Sequence, residues 1–310
     1  MTLIQLRYLC EIVRQGLHLS RAAEALHTSQ PGVSKQIQLL EQELGCTIFK
    51  RRRNRLLDLT PKGREVHHYA QQALIEIDNI RSVSQNSDSK GGGTLVIACM
   101  ATQARYVLPR TIDRFIKKYP DTRLEFFQGD RQQIFAKVDA GEADIAIGGD
   151  RGVSVTNVAM LHYDTLRYVI VARPGHPILE GGRPTLRQVA SYPIITHMFE
   201  PDGQWKLVDV FKRKGLEPKI AFRAADSEVA KAYVELGVGI AILARSSFEK
   251  QRDRFLRAID ADHLFAPEPL YIGFHRKKHM PKHLGDLIRM LSPELSAAEI
   301  EHARLHGGSS

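Results

Sequence analysis

Residues 27–38 read HTSQPGVSKQIQ, in which a proline and a glycine adjoin inside a helical pattern. Proline in a helix interior costs about 3 kcal/mol and glycine about 1 kcal/mol. Both are tolerated in the first turn of a helix, where the N–H that proline lacks has no partner. We therefore predict a helix with Pro31 and Gly32 in its first turn. Its expected N-cap is Ser29 or Thr28.

The predicted helix has an apolar face, with Val33, Ile37 and Leu40 at helical spacing, and a polar face. The polar side chains suit DNA, because glutamine pairs with adenine, lysine reaches guanine or phosphate, and serine contacts either. Helix N-termini attract phosphate, and glycine permits close approach. A solvent-exposed face without a ligand has the same composition, so the choice between the two interpretations depends on the neighbouring elements. The candidate DNA contacts here are Thr28, Ser29, Gln30, Pro31, Ser34, Lys35 and Gln38.

The flanking segments complete a winged helix-turn-helix pattern. An amphipathic helix comes first, with Leu6 and Leu9 on its apolar face, and Ser20 is the expected cap of a short second helix. In CTIFKRRRNRLLDLTPKG, residues 46–63, apolar pairs flank a basic stretch, which predicts a β-hairpin with a charged tip, the wing. The wing residues expected to contact DNA are Arg51, Arg52 and Arg53.

Thr60 and Pro61 predict the start of a long helix that runs to about Val83. Its apolar residues recur at seven-residue spacing, which is typical of a helix that pairs with a second copy of itself. The alternative is that this face packs on its own domain. SQNSDSKGGG, residues 84–93, is polar and glycine-rich, which predicts a hinge.

From Thr94 onward, buried strands such as TLVIACM, ADIAIGG and GIAILA alternate with helical patterns. This alternation predicts an α/β fold with largely parallel sheets, in a segment long enough for two lobes. NVAMLHYDTLRYVIVARP has the character of one long strand. The C-terminal HARLHGGSS is expected to be disordered.

Composition narrows the function classes. The net charge of +9 is concentrated between Lys50 and Arg64, which fits a polyanion partner. We find no apolar run of about 18 residues and no signal-peptide pattern, so we expect a cytoplasmic protein without a membrane partner. No nucleophile elbow, P-loop, dinucleotide fingerprint or metal cluster is found, which argues against an enzyme. The missing signal peptide also opposes a transport binding protein.

The stretch AAEALHTSQPGVSKQIQLLEQELGCTIFKRR, residues 22–52, followed by LTPKG, resembles the N-terminal signature of LysR-type transcriptional regulators. The resemblance implies a winged helix-turn-helix, dimers through the long helix, and tetramers. It also implies a two-lobed domain of the periplasmic-binding-protein type with a small-molecule effector in the cleft. Effector occupancy is then expected to change DNA bending and contact with RNA polymerase.

On this basis the chain divides into four parts. Residues 1–60 are the DNA-binding domain, 61–93 the dimerisation helix and hinge, 94–295 the effector-binding domain, and 296–310 the tail. Lobe I is expected at about 94–165 and 268–295, and lobe II at about 166–267.

Within the family, TQARYVLP, residues 102–109, is most similar to the CysB type, regulators of sulfur assimilation in bacteria. Effector pockets lie where strands end and helices begin. Thr102 is the expected cap of the helix after TLVIACM, and with the N–H groups of Gln103 and Ala104 it predicts an anion site. An ordinary N-cap is the alternative. The resemblance implies sulfate or an acetylated serine at Thr102 and Gln103.

Other pocket positions depart from the CysB type. That type has threonine where this chain has Met100, Gly149 and Asp202, and tryptophan where it has Thr165; Thr196 is a further candidate hydroxyl. Losing hydroxyl donors weakens recognition of a fully ionised anion. We therefore expect no cofactor, and an effector that is larger or less anionic than sulfate and carries one acidic group. A sulfur-related pathway and a different pathway with an amino-acid-like effector both remain open.

Overall fold

The computed structural model describes residues 1–52, 55–85, 92–149, 153–197 and 207–306. The chain divides into two units. The first comprises Met1–Ser89 with Lys277–Pro281, and the second comprises Lys90–Arg276 with Lys282–Ser310. Within the described residues, no helix is long and apolar enough to cross a membrane.

The first unit begins with helices α1 (Leu3–Arg14), α2 (Leu19–Ala25) and α3 (Gln30–Leu44). Pro31 lies in the first turn of α3, and the Ser29 hydroxyl accepts a hydrogen bond from the Gly32 N–H at 3.3 Å, which confirms the predicted helix start. The expected Ser20 cap is wrong. Helix α2 begins at Leu19, two residues before the start that a Ser20 cap implies, and its N-cap, His18, makes no side-chain capping bond.

The predicted wing is confirmed as an antiparallel hairpin of β1 (Phe49–Arg52) and β2 (Arg55–Leu59). Glu41 of α3 fixes its base. One carboxylate oxygen accepts the Ile48 and Phe49 N–H groups at 2.8 and 3.2 Å, and the other accepts Arg51 at 2.8 Å. The unit closes over one apolar core, whose fully buried members include Leu9, Ile12, Val33, Leu40, Ile48 and Phe49.

Helix α4 (Pro61–Gln85) follows, and the Thr60 hydroxyl caps it by accepting the Gly63 N–H at 2.8 Å, as predicted. Gly63 is required here, because a Cβ at this position would lie 2.0 Å from the Ile48 carbonyl oxygen. Ala70 packs in the core of its own unit, whereas Tyr69 and Ile80 are 67% and 71% exposed. The helix thus has one face that packs internally and one that stays open.

The second unit alternates strands and helices. In chain order they are β3 (Thr94–Cys99), a π turn (Gln103–Val107), α5 (Leu108–Lys118), β4 (Arg123–Gln128), α6 (Arg131–Asp139), β5 (Ile145–Gly149), β6 (Val158–Leu166), β7 (Tyr168–Ala172), α7 (Leu186–Ser191), β8 (Pro193–His197), α8 (Leu207–Lys212), β9 (Lys219–Ala224), α9 (Ser227–Glu235), β10 (Ile240–Ala244), β11 (Arg257–Asp260), β12 (Glu268–His275), α10 (Lys282–Leu291) and α11 (Ala297–His306).

In the described ranges these strands form two five-stranded sheets, with orders β4-β3-β5-β12-β6 and β11-β7-β10-β8-β9. Strand β3 is parallel to β4 and β5, and β8 is parallel to β9 and β10. Strands β12 and β7 are antiparallel to their neighbours, so the expectation of largely parallel sheets is corrected to mixed sheets. The α/β prediction itself is confirmed.

Two local predictions in this unit are wrong. The stretch that was expected to be one long strand is two, β6 and β7, which belong to different sheets and are separated at Arg167. The tail is helical through His306, because Ile300 and Ala303 of α11 are each 3% exposed. A capping box also begins α11, since the Ser296 hydroxyl accepts the Glu299 N–H at 3.2 Å and the Glu299 carboxylate accepts the Ser296 N–H at 2.8 Å.

Candidate DNA-binding surface and effector site

The start of α3 presents its polar side chains to solvent. Ser34 is half-buried, and the other candidate contacts at this helix start are exposed: Thr28, Ser29, Gln30, Pro31, Lys35 and Gln38. The apolar face of the same helix is closed off in the core, with Val33, Ile37 and Leu40 at most 1% exposed. The helix therefore presents glutamine, lysine and serine side chains on one exposed face, which is where helix-turn-helix proteins carry the side chains that contact base edges.

The wing carries a concentration of positive charge at its tip. Arg52 lies directly opposite Arg55 in the strand register, and like charges at facing positions destabilise a hairpin. A polyanion lying against the tip would remove that repulsion. Arg51 pairs with Glu41 at 2.8 Å, its contact with DNA stays a prediction, and Arg53 lies outside the described residues.

The wing and α3 meet at a cleft of about 310 Å³. Gln30 of α3 and Arg55 of β2 both line it, together with the turn between α1 and α2. Arg55 was predicted only as part of the basic stretch of the wing, and Glu41 was not predicted. A signal for Arg55 was present, because it continues the basic stretch of the wing, whereas nothing local marks Glu41 as the anchor of a hairpin.

The expected anion site at Thr102 requires correction. Thr102 already has helical backbone angles, and its side chain makes no capping hydrogen bond. The N–H groups of Gln103 and Ala104 both donate to the Met100 carbonyl, at 2.9 and 3.1 Å, so neither is free for an anion. The first N–H groups of this helix are those of Ala101 and Thr102, which moves any anion-binding helix start forward by two residues.

Gln103 is nevertheless a fixed part of the candidate effector site. Its side chain is buried, and its amide oxygen accepts the Tyr163 hydroxyl at 2.7 Å. Burial raises the pKa of Tyr163 above its ordinary value, and the charge of Asp164 raises it further, so this hydroxyl stays a donor. Tyr163 was not predicted, since it lies sixty residues from Gln103 and only the sheet brings them together.

The other predicted pocket residues divide between the two sheets. Met100 follows β3 and its side chain covers Gly148, whose Cβ position lies 3.1 Å from the Met100 sulfur. Gly149 ends β5, and Thr165 lies on β6 two residues beyond Tyr163. Thr196 is buried on β8 of the second sheet. Asp202 lies outside the described residues.

The π turn joins the two lobes. The Tyr106 hydroxyl donates to Glu228 of α9, Arg105 pairs with the same carboxylate at 3.3 Å, and the ammonium group of Lys231 lies 5.3 Å from the Tyr106 ring centroid. Burial raises the pKa of Glu228, but hydrogen bonds from Lys231 and Tyr106 outweigh it and leave this pKa below its usual value. A charged network therefore fixes the segment that follows Gln103.

A winged helix-turn-helix joined to a two-lobed α/β unit defines the class of transcription regulators that carry an effector-binding domain. Two family models match this chain. Residues 3–64 match the bacterial regulatory helix-turn-helix protein of the lysR family, and residues 89–296 match the LysR substrate binding domain. The chain belongs to the LysR family of transcriptional regulators.

Two relatives align with nearly the whole chain, and one solved domain aligns with most of it. It is 37% identical over 303 residues to the HTH-type transcriptional regulator CysB of Haemophilus influenzae, covering 98% of this chain and 94% of that protein. It is also 37% identical over 296 residues to the regulator SsuR of Burkholderia cenocepacia, covering 96% of each. The solved cofactor-binding domain of the Cbl transcriptional regulator matches 71% of this chain and 96% of its own, with a TM-score of 0.64 and 31% identity.

Proposed function

We propose that this LysR-type regulator binds double-stranded promoter DNA through α3 and the wing, and that a small-molecule effector between its lobes modulates promoter binding or activation. The observation that carries the proposal is the exposed Gln30, Lys35 and Gln38 on one rigid helix beside the facing Arg52 and Arg55. Such a surface suits base edges and phosphates together.

The proposed effector site lies at the sheet edge that carries Met100, Gln103 and Gly149. In α/β sheets, ligands bind at the carboxyl ends of strands. The similarity to CysB, SsuR and Cbl supports a pathway of sulfur-related metabolism, involving sulfate, sulfonate or cysteine. The alternative is a regulator of a different pathway with an amino-acid-like effector, and the arginine and glutamate beside Gly149, described below, favour such a ligand.

We further propose that the protein acts as a homodimer or homotetramer with the exposed face of α4 in the interface, and that its output is contact with RNA polymerase in the cytoplasm. The open positions of Tyr69 and Ile80 support the first statement. The proposed role is regulatory and not enzymatic, as it is for the named relatives.

A gel-shift titration across salt concentrations tests the DNA-binding proposal. Binding that requires phosphate contacts weakens steeply as salt rises, because DNA releases counterions when cations of the protein neutralise it. Replacing Gln30 with alanine should weaken binding to the operator more than binding to random DNA, by about 1–3 kcal/mol. Replacing Arg52 with alanine should weaken both alike and reduce the salt dependence.

Lys250→Ala is the matched control, since it removes an exposed lysine from the effector-binding unit. It should leave both binding curves unchanged. Binding that ignores salt, or a Gln30 variant that loses random and specific DNA equally, would contradict the proposed readout by α3.

A further inference from the structure

Arg131 and Glu268 form a largely enclosed ion pair in the effector-binding unit. Their side chains are 17% and 13% exposed, and the closest nitrogen and oxygen atoms lie 3.1 Å apart. The Tyr168 hydroxyl donates to the other oxygen of Glu268 at 3.0 Å. Arg131 is the first residue of α6 and Glu268 the first of β12, so the two charges come from separate elements.

The strand register places this pair at the same sheet edge as Gly149. Gly149 lies opposite Leu270 in the pairing of β5 with β12, and Glu268 is two residues before Leu270 on the same strand. The Arg131 guanidinium lies against Gly149, since a Cβ at that glycine would be 3.3 Å from Nε and 3.5 Å from Cζ. The absence of a side chain at Gly149 leaves room for the arginine at the carboxyl end of the strand.

The geometry leaves part of the arginine without an acceptor. Its Nη1 is buried and has no hydrogen-bond partner in the part of the chain that the structure describes. A buried, charged N–H group that lacks an acceptor is destabilising, and such a group in a native fold calls for an oxygen from a ligand or water. The planar guanidinium fits a carboxylate with two parallel hydrogen bonds.

The neighbouring Glu268 restricts which ligands can use that arginine. A small polyanion that approaches Arg131 also approaches the glutamate, and like charges at short range repel. A ligand with a carboxylate and an ammonium group meets an opposite charge at each end. The ion pair therefore favours a ligand with no net charge over an anion of equal size.

We propose that Arg131 and Glu268 determine the specificity of the effector site, and that they select an amino-acid-like zwitterion, with its carboxylate at Arg131 and its ammonium group toward Glu268. This inference rests on the proposed function, because it assumes that the edge at Gly149 holds the effector.

Two isomers provide the test. O-acetyl-L-serine and N-acetyl-L-serine have the same atoms and the same carboxylate, but only the former carries an ammonium group. Calorimetric titration of the full chain near pH 6, where the protonated amine resists acyl transfer, should show about tenfold tighter binding of the O-acetyl isomer, equivalent to ~1.4 kcal/mol. Equal affinities, tighter binding of the N-acetyl isomer, or no binding of either would overturn the proposal.

Two charge-removing variants separate specificity from a merely structural ion pair. Glu268→Gln should reverse the preference, so that N-acetyl-L-serine and sulfate bind more tightly than in the unaltered chain. Arg131→Gln should weaken both isomers about tenfold or more, since both present a carboxylate. Lys117→Gln and Asp113→Asn remove the same charges from an exposed ion pair and should leave the isomer ratio unchanged.

A structural ion pair would give a different pattern. Both variants would lower the unfolding temperature of the free chain while the isomer ratio stayed at its original value, and that result overturns the inference. The gel shift, run on the same preparations, separates the two proposals. Retained salt-dependent DNA binding with the wrong isomer preference refutes only the zwitterion site, whereas loss of DNA binding by the unaltered chain refutes the proposed function.

Discussion

At the scale of single residues, close backbone contacts and buried charges determine what this chain tolerates. Gly63 packs against the Ile48 backbone, and Gly32 leaves room for its own cap, since a Cβ there would lie 3.1 Å from the Ser29 hydroxyl. The role of Gly32 in the free protein is therefore to admit the capping side chain, before any approach to DNA. A side chain at position 63 would overlap backbone atoms, whereas one at position 32 would only crowd the Ser29 side chain.

Gly63→Ala is expected to destabilise the DNA-binding unit by about 3 kcal/mol, because its Cβ would overlap a backbone carbonyl that cannot rotate away. Urea unfolding followed by circular dichroism measures the change. Gly92→Ala is the control, since a Cβ at that position meets no atom within 4 Å. A Gly63 variant as stable as the control would show that the start of α4 can shift.

Asp286 should make the stability of the effector-binding unit depend on pH. Burial raises the pKa of its carboxyl, but hydrogen bonds from Lys118, Tyr119 and Arg289 outweigh it and lower the pKa from 3.8 to about 2. The stabilisation is fully present above pH 3.8 and is lost as the pH falls toward 2. Its size is about 2 kcal/mol, as expected for a shift of this extent.

Unfolding free energies measured between pH 5 and pH 2.5 test this. Asp286→Asn should flatten the pH dependence in that window, whereas Asp113→Asn, at an exposed ion pair, should not. An Asp286 variant with the original slope would assign the acid sensitivity to other carboxyls.

At the scale of elements, local signals located most segments, and long-range contacts decided where the predictions failed. The cap at Ser29 and the start at Pro61 were predictable because capping involves residues three apart. The predicted cap at Thr102, for the helix after β3, is wrong. Pro109, early in α5, lacks an N–H and crowds the Arg105 carbonyl, and the chain forms a π turn there.

The candidate site was predictable only in part, for the same reason. Gln103 and Gly149 were identified through their resemblance to known pockets. Tyr163 pairs with Gln103, and Arg131 of α6 pairs with Glu268 of β12, only because the fold brings together elements that are far apart in the sequence. No periodicity within one segment reports such pairing. The helix in the tail was not predicted because its capping box, from Ser296 to Glu299, lies before HARLHGGSS, the stretch expected to be disordered.

Tyr106→Phe should weaken the connection between the lobes. The change removes the hydroxyl that donates to Glu228 and leaves the ring under Lys231, so we expect a loss of about 1–2 kcal/mol. Thermal unfolding of the full chain measures it. Tyr233→Phe is the control, because that tyrosine is 43% exposed on α9; equal unfolding temperatures for the two variants would mean that the Glu228 bond adds no stability.

At the scale of the whole molecule, the sequence joins a DNA-reading unit and an effector-binding unit through a helix that has two faces. Ala70 and Ala73 pack with the core of the DNA-binding unit, so the alternative of internal packing holds for part of α4. Tyr69 and Ile80 are eleven residues apart, which returns them to nearly the same side of a helix. Packing on its own domain and pairing with a second copy therefore concern different faces of α4.

Replacing Tyr69 and Ile80 together with glutamate should reduce self-association, because like charges would face each other across a helix pair. Sedimentation velocity at micromolar concentration should show a lower mass than the unaltered chain. Leu305→Glu, which places the same charge at an exposed apolar site on α11, should leave the mass unchanged. An unaltered mass in the double variant would exclude this face of α4 from the interface.

The contact between Gly63 and Ile48 has a mechanical consequence. The Ile48 carbonyl also accepts the Thr60 N–H at 2.8 Å. The base of the wing and the start of α4 are therefore in tight backbone contact, and this contact is the joint between them. Helix α4 has 25 residues and is ~37 Å long, so a tilt of about 3° at the joint displaces the far end by ~2 Å. We therefore expect a displacement at the far end of α4 to be transmitted to the base of the wing.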